Sequence, residues 1–332
     1  MQAPAELRLP SAPGGIRWRA ATLDDVDLAV RVYEAIAAVD HPEWAESAEE
    51  VAEEFRHSWV DVTRDAVFAF DGDEPVAFGH VYAPDGVDTI YRVFAFGGVV
   101  PARRGRGIGR ALLDWQIARG RQILAASERR IPGWILASST DTATETARLL
   151  ERSGMRPARW FQQMRRELAE PIPDTPLPAG LRLEHLDEAR WEAARIAKND
   201  AFRDHWGTQP MTEEQWTGFM RQDAMREELS FLAVDDSGAI AGMVITFVHP
   251  EDFARQGYIG GYIQFVSVGR PWRGRGVAKA LLGAALHASR DAGHEAVALD
   301  VDAESPTGAD RLYTAMGFRT VARSVQHVLE FA

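Results

Sequence analysis

The 332-residue chain contains no cysteine. That one absence excludes disulfides, thiolate metal sites and a cysteine nucleophile together. No apolar run reaches the roughly 18 residues that would span a bilayer, so a membrane is not an expected partner. The opening segment, MQAPAELRLPSAPGG, lacks the apolar stretch of an export signal and reads as a flexible lead over residues 1–15. The expected compartment is therefore the cytoplasm. Positive charge is in deficit: 37 Lys and Arg stand against 49 Asp and Glu, a net charge of −12. That balance disfavours nucleic acid as a partner. The nine histidines include no H-x-x-x-H or H-E-x-x-H pair, so no metal is expected.

What is present is an ordinary globular composition, 46% apolar and 26% charged, on a chain long enough for two domains of ~150 residues. The chain also repeats itself. Residues 104–113 read RGRGIGRALL and residues 273–282 read RGRGVAKALL, an offset of 169. The correspondence extends outward, from AVFAFD at 66–71 to SFLAVD at 230–235, and from RLLERSGM at 148–155 to RLYTAMGF at 311–318. Between the copies lies EPIPDTPLPA, residues 170–179, with four prolines. Proline fixes φ and lacks the backbone donor, so this stretch is expected to be an extended linker. The predicted division is a lead over 1–15, a first domain over 16–169, a linker over 170–180 and a second domain over 181–332.

Within each half, alternating apolar runs such as Tyr91–Val100 and Tyr262–Val268 predict strands, and Ala111–Ala118 and Ala280–Ala288 keep helical spacing. Antiparallel strands mixed with βα units predict an α/β (α+β) mixed-sheet domain, present twice. Trp44, Trp59, Trp115, Trp191 and Trp216 fall in helical patterns and are expected in the core or at a domain interface.

A glycine-rich turn between a strand and a helix presents backbone N–H groups at the positive end of the helix dipole, an anion site. The dinucleotide fingerprint G-x-G-x-x-G and the Walker sequence G-x-x-x-x-G-K-[ST] are both absent here. The spacing present is [Arg/Gln]-x-x-Gly-x-[Gly/Ala], as Arg104…Gly107…Gly109 and Arg273…Gly276…Ala278. Following Val99-Val100-Pro101, it resembles the pyrophosphate loop of GCN5-related N-acetyltransferases, and two copies resemble the tandem members of that family. The resemblance covers about residues 16–168 and 181–331, and implies two tandem acyl-CoA N-acyltransferase domains.

By that resemblance the N–H groups of Arg104, Gly105, Arg106, Gly107, Ile108, Gly109 and Arg110 would hold the pyrophosphate of coenzyme A. Arg273, Gly274, Arg275, Gly276, Val277, Ala278 and Lys279 would do so in the second half. The strand ends Val99-Val100 and Val266-Ser267-Val268 would pair with the pantetheine arm. Tyr313 corresponds to the family's proton donor for the departing thiolate, whereas the first half has Leu150 there. The second half is thus the expected catalytic half, and the first binds coenzyme A idly or supports the site.

The base is harder to assign, because the strand at 261–268 (GYIQFVSV) carries no carboxylate. His205 is a candidate, with Glu184 and His185 behind it, and Tyr262 is the third catalytic candidate beside Tyr313 and His205. Asp204, His205 and Trp206, in the polar aromatic segment 199–207, are expected to line the acceptor pocket with Tyr262 and Gln264. Asp40-His41-Pro42 occupies the matching place in the first half. The expected reaction moves an acetyl group from acetyl-CoA to the amine of a small molecule by direct attack, in a monomer or homodimer. The alternatives are acetylation of a cysteinyl aminosugar, or a non-catalytic acyl-CoA-binding sensor or scaffold.

Overall fold

The computed structural model describes residues 3–305 and 308–332. The elements in chain order are β1 (Arg17–Ala20), α1 (Val26–Asp40), α2 (Ala48–Arg56), α3 (Val62–Asp65), β2 (Ala66–Asp71), β3 (Glu74–Tyr82), β4 (Tyr91–Val99), α4 (Ile108–Ala126), β5 (Gly133–Thr140), α5 (Thr144–Arg152) and β6 (Arg156–Glu167). The second half repeats the pattern with β7 (Leu181–His185), α6 (Trp191–Ala201), α7 (Glu213–Met220), β8 (Phe231–Asp235), β9 (Ile240–Phe247), α8 (Phe253–Gln256), β10 (Gly260–Val268), α9 (Val277–Asp291), β11 (Ala296–Asp302), α10 (Ala309–Ala315) and β12 (Arg319–Phe331). The mixed sheet and the internal duplication are those expected from sequence.

The compact units do not coincide with the linear halves. One comprises Met1–Arg159 with Ser324–Ala332, the other Trp160–Arg323. In the first unit the strands run β1-β2-β3-β4-β5 and close with β12, which pairs antiparallel with β5 from Ser324↔Thr140 to Phe331↔Gly133. In the second they run β7-β8-β9-β10-β11 and close with β6, which pairs antiparallel with β11 from Phe161↔Asp302 to Glu167↔Ala296. Each unit thus takes its last strand from the other copy of the repeat. Repeat matching could not reveal this, because the two strands occupy equivalent places in either arrangement.

Both ends of the expected division are tied down. Leu7 and Ala12 pack against a core of Trp18, Val76, Val99, Ile108 and Trp115, and the Pro4 carbonyl accepts from Gln122 Nε2 at 2.9 Å, so the lead is docked. The proline segment is extended, but Ile172 and Leu177 pack on the second unit's core and the Pro171 carbonyl accepts from buried Arg166 at 2.8 Å.

Local chemistry starts the helices. At α2 the Glu50 N–H donates to Ser47 Oγ while the Ser47 N–H donates to the Glu50 carboxylate, and Thr212 with Gln215 repeats this at α7. Such a reciprocal pair satisfies two otherwise orphaned donors. Helix α9 then buries Leu281, Leu282 and Leu286 against the sheet, each burial stabilising by about 1.5–3 kcal/mol. Of the tryptophans, Trp115 and Trp216 are core residues, but Trp44 is 41% exposed and stacks on His41.

Candidate active site

In the second unit the parallel pairing of β10 with β11 covers only Gly260↔Ala296 through Ile263↔Leu299. The antiparallel pairing of β10 with β9 continues to Val268↔Gly242, with a bulge between Ile263 and Phe265. An extra residue at that point bends the strand and raises its twist. Gln264 to Val268 therefore remain held on the β9 side while their other edge leaves β11. A wedge opens there, bordered by backbone donors and acceptors with no strand partner.

The glycine loop lies at the far end of the same strand. Gly276 has φ 91° and immediately precedes α9. A side chain would be strained in that left-handed conformation, and the first-turn N–H groups of the helix have no acceptor within it. Those donors, the dipole and the open backbone edge of β10 together fit an elongated ligand with a charged phosphate end and an amide-bearing arm.

The side chains around the wedge divide between two faces. Val297, Leu299 and Val301 belong to the core beneath α9, together with Tyr313 and Phe318. Strand alternation sends Asp300 to the opposite face. There the Tyr262 hydroxyl donates to Asp300 Oδ2 at 2.8 Å. Asp300 stands one residue past the last paired position, at the mouth of the wedge. Desolvation raises its carboxyl above the usual carboxylate range, against the Tyr262 hydrogen bond, which lowers it. Burial, then the neighbouring Asp300, holds the Tyr262 phenol well above its ordinary value, and Tyr313 is close enough to add to that effect. Tyr313, 8% exposed, meets the Phe318 ring edge-on at 5.8 Å, and burial pushes its phenol up so that it keeps its proton.

Asp300 was missed because its own strand hid it. Within AVALDVD it reads as the polar phase of a half-buried strand, and only the tertiary pairing puts it against Tyr262. The sequence signal available was a carboxylate inside an otherwise apolar run.

The other expected residues separate. Asp204 is not free to bind an acceptor: it pairs with Arg270 at 2.7 Å and Arg273 at 3.5 Å, tying the turn after α6 to the glycine loop. His205 lies against the Phe202 ring at 4.5 Å, and Phe202 in turn meets Phe265 of β10 at 5.7 Å, so the 199–207 turn does reach β10. Trp206 is half-buried in that turn and Gln264 sits at the bulge. Glu184 and His185 do not reach the wedge. They lie on β7, separated from β10 by β8 and β9, where Glu184 pairs with Arg182 and Arg190. Three strand spacings of about 4.8 Å put them roughly 14 Å away.

The first unit has its own wedge. Strand β4 pairs with β5 only from Tyr91↔Gly133 to Phe94↔Leu136. Here the strand is redirected by Gly97, at φ 104°, where a Cβ would stand 2.2 Å from the Phe78 carbonyl oxygen. Gly107, with φ 84°, precedes α4 as Gly276 precedes α9. Leu150 occupies the place of Tyr313 and is buried.

A family model described as "Acetyltransferase (GNAT) family" matches residues 29–145 and 191–318. The chain is similar to mycothiol acetyltransferase of Thermobispora bispora, 32% identical over 255 residues, covering 75% of this chain and 78% of the relative. Among solved structures it is similar to a GCN5-related N-acetyltransferase from Sphaerobacter thermophilus, with TM-score 0.74, 30% identity and coverage of 96% and 97% of the two chains. It also shares its fold with a tandem GNAT protein of the clavulanic acid biosynthesis pathway, with TM-score 0.67, 16% identity and coverage of 95% and 98%.

Proposed function

The chain belongs to the GNAT family of acetyltransferases, and from that premise we propose that its second unit transfers an acetyl group from acetyl-CoA to a primary amine of a small molecule. The observation that carries this reading is the wedge between β10 and β11, with the glycine loop at one end, the Tyr262–Asp300 pair at its mouth and Tyr313 in the core beneath α9.

In this reading the N–H groups of Arg273 to Lys279 hold the pyrophosphate and the open edge of Val266, Ser267 and Val268 pairs with the pantetheine arm. An unpaired N–H of β10 polarises the thioester carbonyl, the position at which negative charge develops. The amine approaches from the face of Tyr262 and Asp300, beside Gln264, His205 and Trp206. Asp300 accepts a proton from the incoming ammonium; desolvation raises its carboxyl, which makes it a stronger base than an ordinary carboxylate. The amine nitrogen forms the new C–N bond as the C–S bond breaks. Tyr313, on the opposite face, gives its proton to the departing thiolate. Tyr262 orients Asp300. Arg104 to Arg110, with Val99 and Val100, form the equivalent coenzyme A cradle in the first unit, which lacks the phenol.

A second acceptor reading, a cysteinyl aminosugar, is favoured by the likeness to mycothiol acetyltransferases over more than two thirds of both chains. The absence of a carboxylate from β10 leaves that assignment to Asp300 on β11.

The test is release of free coenzyme A from acetyl-CoA across a panel of amines that includes a cysteinyl aminosugar. Wild type is expected to turn over at least one of them, and Tyr313→Phe to lower kcat by about 10²–10⁴-fold with acetyl-CoA affinity unchanged. Tight acetyl-CoA binding with no release from any amine would instead support a binding module.

A further inference from the structure

The two units differ sharply at one pair of matching positions. On β9, Ile245 stands opposite Phe265; on β3, His80 stands opposite Phe96. Around Ile245 the second unit packs Trp216, Phe219, Phe247 and Phe265 into a continuous apolar cluster. Around His80 the first unit brings in a carboxylate. Glu54 of α2 places Oε1 at 3.3 Å from His80 Nε2. His80 is 5% exposed and its Nε2 makes no hydrogen bond.

A buried polar pair left in this state is costly in a core built only for packing. No arginine or lysine among the described residues pairs with Glu54. The neighbouring Asp65 shows the contrast: Arg119 Nε donates to it at 2.7 Å and the Asp61 N–H at 2.9 Å. A cavity of about 10 Å³ lies among Glu54, His80, Tyr82, Val60 and Val62. That is close to the space one water-sized group needs. Aromatic rings frame its surroundings, with Tyr82 at 6.4 Å from Phe96 and at 6.2 Å from Trp59, and Phe96 at 5.4 Å from His80. Glu54 keeps 25% of its side-chain surface, so the pair is not sealed from solvent.

We propose that the first unit binds a primary ammonium group at this place, with Glu54 as its counter-ion, His80 Nε2 accepting one N–H and the Tyr82 and Phe96 rings holding the organic stem. An –NH₃⁺ group carries three donors and no acceptor, which matches a carboxylate and an imidazole nitrogen lacking donors. Its size also matches, whereas a trimethylammonium head does not. Aromatic faces favour a cation on electrostatic grounds as well. The site is separate from the wedge of the second unit and does not depend on transfer there.

Binding should be linked to a proton. Burial, with Glu46 and Glu50, raises the Glu54 carboxyl to about 8, and burial lowers His80 to about 3. The groups facing the pair are Glu46, Glu50 and Glu53 of the α2 region, Tyr33 of α1, Tyr82 of β3, Arg92 over Phe94, and the paired Asp65 and Arg119. Near pH 7 the empty site therefore holds a neutral carboxyl beside a neutral imidazole. An arriving ammonium ionises Glu54 and sends that proton to solvent.

The test is calorimetric titration of the full chain with benzylammonium near pH 7, in two buffers of different ionisation enthalpy, with benzyl alcohol and benzyltrimethylammonium as controls. Saturable binding of benzylammonium with release of close to one proton is expected, and both controls should bind at least about tenfold more weakly. Glu54→Gln should remove the proton release and weaken binding by about tenfold or more, with its fold checked by thermal melting. His80→Gln, which keeps Glu54, should weaken binding but retain the proton release. A binding event unaffected by Glu54→Gln and lost in Asp300→Asn belongs to the second unit and overturns the proposal. No saturable binding, or equal affinity for the quaternary ion, overturns it too.

Discussion

Arg104 grips both carboxylate oxygens of Asp40 at 2.8 Å while its Nε donates to the Val99 carbonyl at 3.1 Å. The first cation of the glycine motif therefore clamps the end of β4 to the end of α1 and does not reach outward to an anion. The second unit repeats the clamp: Arg273 donates to the carbonyls of Val268 and Ala201 and approaches Asp204. With the guanidinium committed inward, the backbone N–H groups are left for the ligand.

Asp40→Ala should leave a half-buried guanidinium without its partner. The expected cost is about 1–3 kcal/mol, read from urea unfolding followed by a probe in the first unit. With Asp40 in place, Arg104→Lys should also destabilise the first unit, because an ammonium cannot reproduce the two-pronged contact.

Asp300→Asn should lower kcat more than it raises KM for acetyl-CoA, because the proposed reaction uses this carboxylate on the acceptor and not on the coenzyme. The wild-type rate should fall as pH drops through the raised Asp300 value, since the protonated carboxyl accepts nothing. The variant should lose that acidic limb. A limb that survives the substitution assigns it to another group.

The Glu54 carboxyl gives a stability prediction with a definite sign. Its folded value is about 8 against an ordinary 4.5, so between these the native state holds a proton that the unfolded state has released. Stability then falls as pH rises through that window. Glu54→Gln should melt at nearly the wild-type temperature near pH 4.5 and increasingly above it toward pH 8. The full difference is roughly 2–5 kcal/mol, checked by thermal unfolding across the range.

Removing residues 324–332 should damage the first unit before the second. Those residues pair with β5 of the first unit, and Glu330 also holds Arg156 at 2.7 Å. The truncated chain should lose amide-exchange protection first along Gly133 to Thr140, although the deletion lies at the opposite end of the sequence. Early loss along β11 instead would contradict the strand assignment.

The sequence by itself determined the duplication, the mixed-sheet fold and the two glycine loops. Each depends on local chemistry: a period-two apolar run makes a strand, and glycine tolerates the φ of 84° and 91° that begins α4 and α9. It also singled out Tyr313, because one copy has a phenol where the other has Leu150. The tertiary structure alone decided which strand closes which unit, since β6 and β12 are equivalent in the repeat and their exchange leaves no local mark. It likewise moved Asp204 from the acceptor to the loop and brought Asp300 to Tyr262. Charge partners and wedge-lining residues are set by long-range pairing, such as Ile263 with Leu299 across 36 residues of chain. No local pattern encodes that distance.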